Sequence, residues 1–503
     1  MAIPQLNLRV LSFLVISSIW FIEPTCPKAT AQPPQQPDVL FLSIDDLNDW
    51  IGPLSGHPQA ITPNLDRLAK RAVVFTDAHC QAPICNPSRI SLLTGRLPST
   101  TGVYYLSPLI RQCATTKHAV TLPQYFSKHG YLTLGVGKTF HTEGPKEFDV
   151  YGGKFGGMGP RQKTNLNCDH VHPLWDWGPL PIADQVMPDH QVTDWAIEQL
   201  KQSPKQPRFM AVGFFRPHVP LYVPEKWFEP FPLESIELPL VPEDDLRDIS
   251  RFAQDLTWGA VAPRHTWFQK QPEQWKKAVQ AYLASIAFVD HQVGRLLDTL
   301  EQSERGSNTI IVMWSDHGFH LGTKERWGKR SLWTDSTRVP LMIATPSMKQ
   351  GTRCQAPVGL IDLFPTLTDL CQLPPKQDLE GHSLVPLLNQ PKLTWPHAVL
   401  TQFGPNNDAV RTSDWTLIQY EDASVELYDR KSDPHEFRNL AGQEVYRPNI
   451  AELREHFPQT RAALAPGSAH LDARPGSPVD IDGPPDFDRM WGRRRSNDPP
   501  KDP

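Results

Sequence analysis

Four apolar runs rich in β-forming residues, at 39–44, 131–136, 209–215 and 309–314, constrain this chain most, because each ends abruptly in charged or imidazole side chains. The first runs into Asp45 and Asp46. The second gives way to Gly137 and Lys138, with His141 three residues on. The third ends in Arg216, Pro217 and His218, and the fourth in Ser315, Asp316, His317 and Gly318. Short runs of this kind, alternating with helical patterns, predict an α/β fold with a mainly parallel sheet flanked by helices. Ligands of an open parallel sheet bind outside the carboxyl ends of its strands, so four strands delivering such groups to one edge predict one site. Taken singly, each group has a plainer reading: an Asp after a strand commonly caps a turn, and a lone Lys138 would be solvated.

Asp45, Asp46 and Asp316 supply three carboxylates with no cysteine cluster. Hard oxygen ligands of this type select calcium or magnesium over zinc or copper. Adjacent carboxylates repel, and a divalent cation removes that penalty. At 503 residues the chain has room for one large domain and a smaller one. The formal net charge of -5 and the lack of a basic block give no field suited to nucleic acid.

Residues 1–31 read as a signal peptide: Arg9, an apolar run at 10–22, then Ala29, Thr30 and Ala31 before Gln32. That run is short for a membrane span, and no later segment has about 18 consecutive apolar residues. The expected product is exported, periplasmic or extracellular (or in a lysosome-type compartment), without stable membrane association. Glu23, Pro24 and Thr25 before Cys26 make a poor lipoprotein box. Of seven cysteines, Cys80, Cys85, Cys113, Cys168, Cys354 and Cys371 follow the leader, and no CxxC pair exists to build a zinc ribbon.

Cys85 opens the run Cys85, Asn86, Pro87, Ser88, Arg89, followed shortly by Thr94, Gly95 and Arg96. Pro87 and Ser88 start a helical stretch stopped by Gly95, which puts Cys85 at or just before a helix N-terminus. Backbone N–H groups there favour an anion. An arbitrary cysteine is more often a small core residue. A tyrosine-phosphatase loop, C-x5-R, fails on spacing, since position 91 is Ser91.

Read as C-x-P-S-R with a downstream T-G-R, this run resembles the signature of type I sulfatases, within the alkaline-phosphatase-like superfamily. The runs at 216–220, 287–297 and 317–322, the last leading to Trp327, Gly328 and Lys329, resemble the iduronate-2-sulfatase-like branch. The resemblance spans about residues 38–390. It implies that a maturation enzyme oxidises Cys85 to formylglycine, whose hydrate attacks the sulfur of a sulfate ester. It further implies a metal, Ca2+ with Mg2+ as the alternative, held by Asp45, Asp46, Asp316, His317 and the modified Cys85. Arg89 and Lys138 would hold the hydrate and the sulfate, and Lys329 a sulfate oxygen. His218 would protonate the departing sugar hydroxyl, and His141 would be the base that expels inorganic sulfate. A serine at 85 could attack but would leave a sulfate ester with no easy elimination route. Thr323 and Lys324 stand where many relatives are acidic, placing positive charge near Lys329 that would favour a uronate or a second sulfate, with a solvated surface lysine as the plainer reading.

The pattern changes near 390, where Pro391 and Pro396 mark a linker, and 398–401, 415–420 and 425–428 read as short strands. With Asp433, Pro434, Asn439 and Leu440 they resemble the C-terminal sulfatase subdomain, a small antiparallel sheet with a helix. The expected division is 1–31 leader, 32–390 catalytic domain, 391–465 C-terminal subdomain and 466–503 poorly ordered tail. The expected activity is hydrolysis of a carbohydrate sulfate ester, such as the 2-O-sulfate of a uronic acid. An aryl- or choline-type sulfatase is the second reading, and a non-catalytic sulfated-glycan binding protein the third, although the latter would be expected to carry a broken motif.

Overall fold

The structure, a computed structural model, describes residues 1–2, 36–142, 144–168, 174–257 and 262–468. The expected leader and nearly all of the expected tail lie outside these residues. The elements that matter below, in chain order, are β1 (Asp38–Ile44), β2 (Val73–His79), α1 (Cys85–Thr94), β3 (Leu132–Gly137), β4 (Val150–Tyr151), α2 (Pro188–Leu200) and β5 (Arg208–Phe214). They continue with α3 (Pro272–Gln302), β6 (Thr309–Ser315), β7 (Arg338–Ala344), β8 (Thr352–Cys354) and β9 (Val358–Gly359). Four further strands follow: β10 (Val399–Gln402), β11 (Asp408–Arg411), β12 (Trp415–Gln419) and β13 (Val425–Asp429).

The large sheet has the order β8-β2-β7-β6-β1-β5-β3-β4, with β9 beside β2. Pairing is parallel throughout except at β7, which runs antiparallel to both β6 and β2. The four strands singled out in the sequence are therefore consecutive neighbours, β6-β1-β5-β3, and all point the same way. Their unbroken hydrophobicity follows from burial on both faces. Leu40, Leu42 and Ile44 of β1 join one core cluster with Met210, Val212, Ile311 and Met313, against which α3 packs Tyr282, Ile286 and Val289. Val39 and Phe41 alternate into the opposite cluster with Phe209, Val312 and Trp314, covered by Ile90 and Leu92 of α1.

The second sheet is antiparallel, in the order β10-β11-β12-β13. Three of its strands match the expected runs. β11 was not expected, because Asp408 and Arg411 interrupt its apolar pattern. Both are buried, and each is paired, Asp408 with Arg461 and Arg411 with the Leu332 carbonyl and Glu436. All six cysteines from Cys80 to Cys371 are unbridged. Among the described residues no helix is long and apolar enough to cross a membrane.

Asp77 of β2 ties the two sheets together. It accepts hydrogen bonds from Arg430, just after β13, and lies 2.9 Å from His79 Nε2. Burial alone would raise its pKa, but Arg430 and His79 hold the carboxyl well below the usual range. Asp77→Ala leaves a largely buried guanidinium unpaired and should cost about 3–5 kcal/mol, read as a lower urea midpoint. Because the folded-state pKa is depressed, the contribution is present above the ordinary carboxyl value of 3.8 and fades as pH falls below it. An unchanged midpoint in the variant would remove Asp77 from this role.

Candidate active site

The carboxyl edge of β6-β1-β5-β3 gathers the side chains at one point. Asp45 and Asp46 leave β1 in a turn that puts Asp46 at φ 61°, and its backbone is pinned from both sides. Its N–H donates to Asp316 Oδ1 (3.2 Å), and its carbonyl accepts from the Tyr282 hydroxyl of α3 (2.7 Å). Asp316 follows β6, and its own carbonyl accepts from Ser88 Oγ on α1 (2.5 Å). Cys85 is the first residue of α1 and only 1% exposed, and Gly95 ends that helix in the left-handed conformation at φ 71°.

Around Cys85 Sγ stand Lys329 Nζ at 3.1 Å, His317 Nε2 at 3.2 Å and Lys138 Nζ at 3.8 Å. The other nitrogen of His317 is engaged with the Gly318 carbonyl (3.0 Å), which aims Nε2 at the sulfur. Burial pushes the Cys85 thiol up, but Lys138, Lys329, His317 and a hydrogen bond to His141 outweigh it and hold the thiol well below its ordinary range. His141 is therefore in the site as well. Burial lowers its pKa below 6.5 against the opposing pull of Cys85.

Each carboxylate has a cation. Lys138 pairs with Asp45, and Lys329 Nζ lies 2.5 Å from Asp46 Oδ1. Arg89 bridges two of them, with Nε on Asp316 Oδ2 (2.9 Å) and Nη2 on Asp45 Oδ1 (3.1 Å), while Nη1 donates to the carbonyls of Lys138 and Thr139. Burial would raise Asp45, but Lys138 and Arg89 hold it well below the usual range. Asp316 goes the other way: burial pushes it up to about 7, against Arg89 and with the Asp45 charge adding to the effect. Asp46 Oδ2 is buried with no hydrogen-bond partner. Ligand atoms of Asp45, Cys85, Asp316 and His317, and of Asp45, Asp46, Cys85 and His218, lie within 4.8 Å of one another in each set. An orphaned carboxylate oxygen and a carboxylate pushed towards neutrality are what a cluster built for a cation presents when that charge is left out, so these residues fit a metal ion.

His218 reaches the site from the loop after β5. Its Nε2 lies 3.8 Å from Asp46 Oδ2 and 4.0 Å from Asp45 Oδ2, with Nδ1 on the Val219 carbonyl (2.6 Å). Two residues that the sequence reading left without a role hold this loop. Buried Arg216 donates to the carbonyls of His218 (3.1 Å), Tyr222 (3.0 Å) and Met158 (2.8 Å). Asp189, in the first turn of α2, accepts from the backbone N–H of Phe215 (2.6 Å) and Arg216 (3.3 Å). Arg216 stood in the run that carried the resemblance; nothing in the sequence distinguished Asp189 from an ordinary first-turn acid.

All ten residues expected to form the site converge here. Lys324 does not take either of its expected roles. It is 2% exposed, donates to Asp245 Oδ1 at 2.6 Å, and stands over the rings of Trp333, Tyr428 and Phe437. Its charge is used inside the fold, so it is neither a solvated lysine nor a contact for a uronate. Arg330, for which the sequence gives no signal, is also buried, within electrostatic reach of Cys85 and Asp46.

The sequence profile described as Sulfatase matches residues 37–373, and the one described as N-sulphoglucosamine sulphohydrolase, C-terminal, matches 322–463. A protein named Sulfatase from Formosa agariphila is 42% identical over 443 residues, covering 85% of this chain and 87% of its own. Iduronate 2-sulfatase of Mus musculus is 31% identical over 394 residues, covering 67% of this chain and 69% of its own. Among solved structures, a phosphonate monoester hydrolase from Silicibacter pomeroyi superposes with a TM-score of 0.68 at 23% identity, over 84% of this chain and 94% of its own. That likeness carries the fold alone and does not separate sulfate from phosphonate esters.

Proposed function

The chain belongs to the sulfatase family, with the alkaline-phosphatase-like fold and the sulfuric ester hydrolase activity of that family, and from that premise we propose that it removes the 2-O-sulfate of a uronic acid or a related polysaccharide unit. The single observation that carries the reading is the convergence of two lysines and His317 on Cys85, at a helix N-terminus above three buried carboxylates. The similarity to iduronate 2-sulfatase supports the sugar and the position. The leader-like residues 1–31 support export, and the change of pattern near 390 supports a boundary between a catalytic and a C-terminal part.

Formylglycine made from Cys85 by a maturation enzyme would supply, once hydrated, an oxygen nucleophile at this position. A calcium ion, with magnesium as the alternative, held by Asp45, Asp46, Asp316, His317 and residue 85, would supply positive charge for the sulfate oxygens. The protein's own residues do the rest. Lys138 and Lys329 both reach residue 85 and offset negative charge on the sulfate as it redistributes, preorganised by their carboxylate partners. Arg89 spends four donor contacts on Asp45, Asp316 and two carbonyls, so it chiefly fixes the carboxylates and has one N–H left for the nucleophile or sulfate. His218, with Nδ1 held by Val219, offers Nε2 to the departing sugar oxygen. Neutral His141, hydrogen-bonded to residue 85, is the base that takes the remaining hydroxyl proton there.

The reading is tested by inorganic sulfate release from uronate 2-O-sulfated disaccharides, with aryl and choline sulfates as comparators. Turnover confined to the small sulfates would reject the sugar assignment. The acid side of the pH–rate profile reports His141: a base must be neutral, and its depressed pKa places the fall in rate below pH 6.5. His141→Ala should lower kcat by about 10²- to 10⁴-fold and abolish that limb. An unchanged limb in the variant would assign the base elsewhere.

A further inference from the structure

Resting on the sulfatase reading of this site, we propose that Arg330 receives a second anionic group of the substrate, a carboxylate or further sulfate on the sugar unit that bears the scissile ester. Four cations stand at the site, Arg89, Lys138, Lys329 and Arg330, against three carboxylates, Asp45, Asp46 and Asp316. Arg89 and both lysines are ion-paired to those carboxylates. Arg330 has no ion-pair partner among the described residues. Its side chain is buried, with the residue 8% exposed, and Nη1 makes no hydrogen bond.

Leaving a buried guanidinium nitrogen unpaired is costly unless something arrives to pair it. Arg330 makes no ion pair with Asp46, whose Oδ2 has no hydrogen-bond partner, although the two side chains are close enough to interact electrostatically. Burial lowers the Arg330 pKa to about 10, with the charges of Cys85 and Asp46 opposing, so the group stays charged near neutral pH.

The backbone points the same way. Arg330 sits at φ 81°, a region a non-glycine residue occupies at a cost of about 1–3 kcal/mol, and its N–H is held by the Pro83 carbonyl (3.1 Å), two residues before Cys85. Arg330 and Lys329 both interact with Cys85 and Asp46, so a group on Arg330 and a sulfate on Lys329 and Lys138 are within reach of one small ligand. Two planar donors in a fork suit a carboxylate or sulfate, which a lysine would meet only as a point charge. Arg330 supplies, six residues on, the positive charge expected of Lys324.

The test compares kcat/KM on three 2-O-sulfated disaccharides: one with the uronate carboxylate, one with that carboxyl reduced to an alcohol, and one reduced but carrying a second sulfate. The wild-type enzyme should favour one of the dianionic substrates over the reduced one by roughly 10- to 100-fold, and which one identifies the group. In Arg330→Gln that ratio should fall towards one, and Arg330→Lys should keep part of it; melting curves confirm that each variant is folded. A wild-type enzyme indifferent to both second anions, or a ratio that survives in Arg330→Gln, overturns the proposal. Turnover of 4-nitrophenyl sulfate separates the two levels: an enzyme inert to every sulfate ester contradicts the reading of the whole site, whereas turnover without discrimination contradicts only the role of Arg330.

Discussion

Cys85→Ala should abolish turnover, with kcat on any sulfate ester falling by about 10⁴-fold or more while the melting temperature changes little. The expectation rests on how the surroundings of Cys85 are spent. Lys138 and Lys329 keep their partners Asp45 and Asp46 when the sulfur is removed, so no cation is stranded. What disappears is the group on which both lysines, His317 and His141 converge. Cys85→Ser sharpens the point. A hydroxyl in the same field can attack sulfur, but the serine sulfate ester has no second hydroxyl from which His141 could take a proton. The expected result is one equivalent of alcohol per enzyme without inorganic sulfate, and a peptide heavier by about 80 mass units. Steady sulfate release by the serine variant would mean that the geminal hydroxyl is not needed and that the role given to His141 is wrong.

The second large effect concerns the carboxylates. Removing divalent metal with a chelator should stop turnover, and calcium should restore it. Asp46→Asn and Asp316→Asn should each lower kcat/KM by about 10²- to 10³-fold. Stability gives a readout independent of chemistry. Asp46 Oδ2 has no hydrogen-bond partner, and burial pushes Asp316 up to about 7, so a bound cation relieves a cost already present in the fold. Calcium should therefore raise the melting temperature of the wild-type protein and raise it less in either variant. Equal stabilisation of all three would place the ion elsewhere.

The candidate site was legible in the sequence because strand and polar side chain adjoin in the chain. Asp45, Asp46, Lys138, His218 and Asp316 each follow a buried strand, and the parallel packing of β6-β1-β5-β3 turns four local signals into one edge. The helix start at Cys85 and its stop at Gly95 were equally local. What escaped depends on tertiary partners. β11 carries Asp408 and Arg411 at buried positions, and only their partners Arg461 and Glu436, distant in sequence, make that strand tolerable. Lys324 reads as a surface charge until Asp245 and three aromatic rings close over it. Asp189 looks like any first-turn acid, and its bonds to the backbone at 215 and 216 exist only once α2 lies against β5. Arg330 gave no signal because its distinguishing property is a missing partner, which a sequence does not record.

The central claim is that residue 85 works only after conversion to an aldehyde. Preparations made with graded amounts of a formylglycine-generating enzyme can be measured for the fraction of the residue-85 peptide lighter by about 18 mass units and for the rate of sulfate release. The rate should rise in proportion to that fraction and extrapolate to zero at none. A rate independent of conversion, or full activity with Cys85 intact, would contradict the account.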